Sequence, residues 1–283
     1  MIPPTDLILN PDGSVYHLNL RPENIAHTII AVGDPDRVTK VSRHFDEIHF
    51  QANKREFVTH TGTYHGKRIT VISTGIGTDN VEIFFNEIDA LVNIDLNARE
   101  PKTIKQRLRI IRIGTSGALQ KNIPLGAHLI SDYGIGLDNL IGFYELAMGT
   151  TEQKISKAVQ TKTGLPFTPY TMRGSNDLRK SIGFDIIQGN TVTCPGFYAP
   201  QGRVLRLPIR FPELLEDLNE FCDDDFRITN FEMETAAYYA FGKLLGHDVT
   251  SANVIIANRI TREFMDHHDE AMDALIKKVL DRV

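Results

Sequence analysis

Short apolar runs that end at glycine alternate along this chain with segments of helical periodicity, and this alternation constrains the fold more than any other feature. The run His27–Val32 predicts a buried strand that ends at Gly33, and 34–45 predicts a helix with Asp34 as its N-cap. Further predicted strands are 55–61, 68–73, 108–113, 186–193 and 248–257, and further predicted helices are 78–92, 232–245 and 269–280. Interleaving of this kind predicts a single α/β domain over residues 1–283, a three-layer α/β/α sandwich with a central mixed, twisted sheet.

The bulk composition narrows the class of protein. With 41% hydrophobic and 24% charged residues, the chain has the balance of a globular protein. The formal net charge of −5 argues against nucleic acid as a partner. The sequence shows no secretory signal and no apolar stretch of membrane-spanning length, and its two cysteines, Cys194 and Cys222, are expected to be reduced. We therefore expect a cytoplasmic protein without a membrane partner.

Glycine turns follow three of the predicted strands, at positions 33, 75–77 and 114–117. Such turns can present backbone N–H groups to an anion, and the carboxyl ends of the strands are where ligands bind in sheets of this kind. Arginines stand beside two of them, Arg37 and Arg112. Arg112 lies in an otherwise apolar strand, so it needs an anionic partner. That partner is either a bound phosphate or a neighbouring carboxylate, and the residues alone leave both open.

Four segments resemble the nucleoside phosphorylase family in content and order. They are Gly33-Asp34-Pro35-Asp36-Arg37-Val38, Lys54-Arg55-Glu56-Phe57, Ser73-Thr74-Gly75-Ile76-Gly77 and Arg112-Ile113-Gly114-Thr115-Ser116-Gly117-Ala118. The resemblance runs from about Val15 to the C-terminus and implies the fold of that family. It also implies a phosphate site formed by Gly33, Arg37, Arg112 and Thr115, with Arg55 arriving from a neighbouring subunit. Several guanidinium groups and a hydroxyl suit a phosphate dianion.

The segment Phe197-Tyr198-Ala199-Pro200-Gln201-Gly202-Arg203 carries the specificity signal. A glutamine amide matches the N3–H and one carbonyl of uracil, an arginine can donate to the other carbonyl, and a phenylalanine offers a flat apolar face. On composition alone, a polar surface turn is the favoured interpretation of the segment. Its spacing resembles the uracil site of uridine phosphorylases, which implies that Phe197, Gln201 and Arg203 bind the base.

The resemblance also supplies ribose and ion ligands. Glu232, Met233 and Glu234 match the ribose-binding motif of the family, although acidic residues in a first helical turn are also favoured by the helix dipole. His17 matches a histidine that reaches the sugar 5′-hydroxyl in a neighbouring subunit. A potassium site is implied at Glu56, Ile76 and Asn80. Purine-specific relatives carry aspartate where Asn258 stands, and asparagine cannot protonate a purine at N7.

The implied reaction is phosphorolysis of uridine, and of related pyrimidine nucleosides, to uracil and ribose 1-phosphate. Arg112, Arg203 and Glu234 are the predicted catalytic residues. Phosphate is a co-substrate, no cofactor is required, and the assembly is at least a homodimer and up to a hexamer built as a trimer of dimers. The alternatives are a purine nucleoside phosphorylase or nucleosidase on the same fold, or a non-catalytic nucleoside-binding protein. A dinucleotide-binding dehydrogenase is disfavoured because no G-x-G-x-x-G follows the first strand.

Overall fold

The computed structural model describes all residues, Met1–Val283, and contains fifteen strands and seven α-helices. The strands are β1 (Thr28–Val32), β2 (Glu47–Lys54), β3 (Phe57–Tyr64), β4 (Lys67–Ser73), β5 (Ile94–Asp95), β6 (Glu100–Pro101), β7 (Arg109–Ala118), β8 (His128–Gly136), β9 (Tyr170–Arg173), β10 (Ile187–Thr193), β11 (Cys222–Asp223), β12 (Phe226–Arg227), β13 (Asn230–Glu232), β14 (Asp248–Asn258) and β15 (Glu263–Phe264). The helices are α1 (Pro35–Ser42), α2 (Thr78–Asn93), α3 (Thr150–Thr163), α4 (Asn176–Gly183), α5 (Leu214–Glu220), α6 (Thr235–Leu245) and α7 (Asp269–Leu280).

Eleven of the strands form one mixed sheet, as the sequence predicts. Its order is β15-β14-β8-β10-β13-β7-β1-β4-β3-β2, with β9 beside β8. The long strand β7 also pairs with β14, so β7, β14, β8, β10 and β13 close into a ring at one end of the sheet. The strands β1, β4, β7 and β14 run parallel, which brings their carboxyl ends to one edge.

Both faces of this sheet are covered by helices. On one face Ile29 and Ala31 pack with α2 and α6, and on the other Ile30 and Val32 pack with α1, α4 and α7. Successive side chains of a strand point to opposite faces, so a strand buried on both sides is apolar at every position. This is why β1 was predictable as a continuous apolar run, and the predicted layers are confirmed.

Two local predictions, a helix cap and a hairpin turn, are also confirmed. The side chain of Asp34 caps α1 by accepting a hydrogen bond from the backbone N–H of Asp36 at 3.0 Å. Strands β3 and β4 turn at His65 and Gly66, both of which have positive φ. The side chains of Cys194 and Cys222 form no disulfide. No helix is long and apolar enough to cross a membrane.

Two boundaries predicted from the sequence are wrong. Residues 114–117 are not a turn, because β7 continues through them to Ala118 and keeps its pairing with β14. Glu232 does not open the helix: it ends β13, and α6 begins at Thr235 with Glu234 as its N-cap residue. Strands β2 and β8 and helix α3, among other elements, were not predicted from the sequence.

Candidate active site

A cavity of about 660 Å³ opens at the edge where β1, β4 and β7 carry their glycines. Among the residues that line it are Gly33, Arg37, Glu56, Ile76, Asn80, Arg112, Thr115, Phe197, Gln201, Arg203, Glu232, Met233 and Glu234. All the predicted site residues are therefore in this set except His17 and Arg55. The fold brings together segments as far apart in the sequence as Gly33 and Glu234, as a single ligand site requires.

One end of the cavity is suited to an anion. Gly33 and Gly75 approach so closely that a Cβ on Gly33 would lie 3.3 Å from the carbonyl oxygen of Gly75. Arg37 has no carboxylate oxygen within 4.0 Å of its guanidinium, and the only hydrogen bond of its side chain is a long one to the carbonyl of Ile113, at 3.4 Å. The pKa of Arg37 is lowered overall, mainly by burial and also by the nearby charge of Arg112, while Asp34 acts in the opposite direction. A half-buried cation without a carboxylate partner, in a cavity that Thr115 also lines, is arranged to accept an anionic ligand.

Arg112 is buried and already paired. Its Nη2 donates to Glu234 and lies 3.0 Å from Glu232, and its Nη1 donates to Oδ1 of Asn253 at 2.8 Å. Burial alone would lower the pKa of Arg112, but Glu232 and Glu234 raise it overall. The structural ion pair left open by the sequence is therefore present, on the wall of the cavity. Gly114 makes room for it, because a Cβ there would lie 2.3 Å from Nη1 of Arg112.

The two glutamates have different surroundings. Glu232 accepts hydrogen bonds from the hydroxyl of Thr193 and from the backbone N–H groups of Glu234 and Thr235, all within 3.0 Å, in addition to its contact with Arg112. Its oxygens are thus occupied in holding the start of α6. Glu234 accepts from Gly77 N–H at 2.8 Å and from Arg112. Burial raises the pKa of Glu234, while Arg112 opposes that shift.

The other end of the cavity is formed by the segment 197–203, which folds as a 3-10 turn at Ala199–Gln201. Gln201 is buried, and its Oε1 accepts a hydrogen bond from Arg203 while its Nε2 has no protein partner. Arg203 also donates to the carbonyl of Phe197 at 2.7 Å and lies over that ring, 3.7 Å from its centroid. Burial, with Arg259 nearby, lowers the pKa of Arg203 to about 10. Amide and guanidinium donors are thus placed beside an aromatic ring.

Arg259 was assigned no role from the sequence. It donates to the carbonyl of Gln201 at 2.9 Å and lies 5.7 Å from the ring centroid of Phe231. Its position directly after the last apolar strand is the signal that could have identified it. Asn258 does not line the cavity: its amide donates to the carbonyls of Gln120 and Ile123, at 3.0 Å each. Its oxygen accepts from two backbone N–H groups of the next turn.

His17 and Arg55 lie outside the set of residues that line the cavity, and both are close to Tyr16. The rings of Tyr16 and His17 meet edge to face at 4.8 Å, and the guanidinium of Arg55 lies 5.9 Å from the Tyr16 centroid. Arg55 is exposed at the turn between β2 and β3 and has positive φ. The structure therefore brings these two predicted site residues together, outside the cavity of their own chain.

The residues predicted to hold potassium are neighbours on the wall of the cavity. A Cβ on Gly75 would lie 2.6 Å from Nδ2 of Asn80 and 3.1 Å from Cγ of Glu56. The Asn80 amide nitrogen faces the carbonyl of Ile76 at 3.4 Å. Potassium requires oxygen ligands, so these residues fit an ion only if the amide turns its oxygen inward. The ion site stays a prediction.

A family model described as the phosphorylase superfamily matches residues 27–283 of this chain. A uridine phosphorylase of Thermococcus kodakarensis is 31% identical over 257 residues, which cover 89% of this chain and 80% of that protein. A nucleoside phosphorylase of Trypanosoma brucei, described as showing uridine phosphorylase activity, superposes with a TM-score of 0.89 at 31% identity, covering 98% of this chain and 99% of that one. A purine nucleoside phosphorylase of Bacillus cytotoxicus is 24% identical over 250 residues, 87% of this chain and 88% of that protein. The chain belongs to the phosphorylase superfamily.

Proposed function

We propose that this protein is a uridine phosphorylase, which converts uridine and phosphate to uracil and ribose 1-phosphate. The observation that carries the proposal is one cavity with an anion end at Arg37 and a base end at Gln201 and Arg203. Glu234, the carboxylate predicted to bind the sugar, lines the same cavity. The similar proteins from Thermococcus and Trypanosoma support the same activity.

The proposed reaction needs charge stabilisation at two points. The C1′–N1 bond breaks with its electron pair on the uracil nitrogen, which leaves positive charge on the sugar. Phosphate, held by Arg37 and Thr115, stabilises that cation and then forms the C1′–O bond. Hydrogen bonds from Nε2 of Gln201 and from Arg203 strengthen as negative charge develops on uracil, which afterwards takes a proton from solvent.

Glu234 and Arg112 act on the ribose as a pair. The Glu234 carboxylate, fixed by Gly77 N–H and by Arg112, accepts hydrogen bonds from the sugar hydroxyls and so orients C1′ toward phosphate. Arg112 thus holds Glu234, and its charge is balanced by the two carboxylates. Glu232 supports both groups through its contacts with Arg112 and the start of α6.

The proposed assembly is at least a homodimer. Its support is the placement of His17 and Arg55 together on one surface, outside the cavity of their own chain. In a dimer both would complete the site of the neighbouring subunit. We also propose a cytoplasmic location, for which the unpaired Cys194 and Cys222 are the support.

The deciding experiment measures uracil release from uridine with and without phosphate. Phosphate-dependent release of uracil is expected, with inosine cleaved far more slowly. Equal release without phosphate would indicate a nucleosidase, and faster cleavage of inosine would indicate a purine enzyme. Binding of uridine without cleavage would indicate a non-catalytic protein. Any of these three results contradicts the proposal.

A further inference from the structure

Glu87 on α2 makes an unusually complete set of contacts with His17. Its Oε1 lies 2.7 Å from Nδ1 of the imidazole and 2.9 Å from the backbone nitrogen of His17. Its Oε2 accepts from His17 N–H at 2.9 Å and from Leu18 N–H at 2.8 Å. One carboxylate therefore fixes both the backbone and the ring of His17.

These contacts determine which nitrogen of the ring carries hydrogen. An ionised carboxylate only accepts hydrogen bonds, so Nδ1 must be the donor. The other nitrogen, Nε2, has no hydrogen-bond partner within the chain, and about a quarter of the side chain (26%) is exposed. In the neutral ring, Nε2 then presents a lone pair to the surface shared with Tyr16 and Arg55.

We propose that Glu87 is a positioning residue, which holds His17 in the tautomer that accepts a hydrogen bond from the nucleoside 5′-hydroxyl in the neighbouring subunit. This inference rests on the proposed function and on the proposed dimer. Because His17 would act only on the 5′-hydroxyl, Glu87 becomes a determinant of specificity for nucleosides that carry that group.

The helix that carries Glu87 connects the two sites. At its start, Gly77 N–H donates to Glu234 in the cavity of its own chain, and in its second half Glu87 holds His17 for the neighbour. A purely structural role, in which Glu87 ties the N-terminal segment to α2, is the competing explanation. It predicts an effect on all substrates alike, whereas positioning predicts an effect only on substrates with a 5′-hydroxyl.

The test compares Glu87→Gln with the wild-type protein on uridine and 5′-deoxyuridine. An amide cannot accept hydrogen bonds from the two backbone N–H groups of His17 and Leu18 and from Nδ1–H of His17 at once. We therefore expect kcat/KM for uridine to fall by about tenfold, the value of one hydrogen bond. The value for 5′-deoxyuridine should stay unchanged. The matched control is Glu82→Gln, which removes the same charge from the same helix at a side chain bonded to Tyr144 and Asn86. It should leave the ratio between the two substrates unchanged.

Two further measurements separate the explanations. In a His17→Ala background, Glu87→Gln should cause no additional loss on uridine. Nitrogen NMR of the His17 ring should show hydrogen on Nδ1 in the wild-type protein and a changed tautomer in Glu87→Gln. Equal losses on both nucleosides, or no loss on uridine, would overturn the inference. Failure of the proposed function is distinct, since the wild-type protein would then show no phosphate-dependent release of uracil from either nucleoside.

Discussion

Replacement of Arg112 by alanine should remove both activity and stability. The guanidinium is buried, and its Nη2 contacts Glu232 and Glu234 together. Without it, Glu234 keeps only its hydrogen bond from Gly77 and faces Glu232 with no cation between them. Removing one partner of a buried ion pair costs roughly 3–5 kcal/mol, because the remaining charge is left uncompensated.

Protonation of Glu234 limits this cost and makes it depend on pH. The ordinary pKa of the group is 4.5, and neutralising such a carboxyl costs about 1.4 kcal/mol per pH unit above that value. The cost is therefore about 3.4 kcal/mol at pH 7 and about 0.7 kcal/mol at pH 5. The direction of this pH dependence follows from the burial of Glu234, which already raises its pKa. The folded state then binds more protons than the unfolded state above pH 4.5, so stability falls as pH rises.

Urea denaturation of Arg112→Ala at pH 5 and pH 7 checks this reasoning, with kcat/KM measured in parallel. The destabilisation should be about 3 kcal/mol at pH 7 and shrink by about 2 kcal/mol or more at pH 5. Arg109→Ala, at a half-buried arginine of the same strand that forms no salt bridge, is the matched control. A destabilisation that is the same at both pH values, or no destabilisation at all, would refute the coupling between Arg112 and Glu234.

Other substitutions probe each part of the site. Arg37→Met should raise KM for phosphate and lower kcat/KM by about a hundredfold. The stability of the protein should change by less than about 1 kcal/mol, because Arg37 has no carboxylate partner. The control is Arg43→Met, at an exposed position that flanks the same helix. Gln201→Ala should lower kcat/KM for uridine without raising it for inosine, and equal losses on both would contradict the base assignment. Mixing Arg37→Met chains with Arg55→Ala chains should restore part of the activity through hybrid dimers, and no recovery despite subunit exchange would contradict the shared site.

The strands that are buried on both faces could be predicted because each is a short continuous apolar run, a signal that lies within a few neighbouring residues. Other elements depend on partners far away in the sequence. Strand β8 contains Gly134, where an added Cβ would lie 2.7 Å from the Cα of Ala236. The glycine therefore lets α6 pack closely on the strand, although in the sequence it is typical of a turn. Helix α3 buries Ser156 and Thr163 beside Ile155 and Val159, so its buried face is half polar and carries little hydrophobic signal.

The same limit applies to the site. The glycines of β7 are typical of a turn in sequence, but Gly114 is needed because the Arg112 side chain lies over it. The resemblance identified the residues of the cavity, yet not that Glu232 would hold α6 and Arg112 together. That arrangement joins positions more than 100 residues apart, and only the folded sheet brings them into contact. The roles of the individual residues stay predictions until they are measured.

One mixture tests the central claim most directly. Uridine, inosine and phosphate are incubated with the wild-type protein, and the products are followed by phosphorus and proton NMR. We predict that ribose 1-phosphate forms in step with uracil, and that hypoxanthine appears at least about a hundredfold more slowly. Free ribose in place of the phosphate ester, or hypoxanthine formed as fast as uracil, would contradict the account of a phosphate end joined to a uracil end.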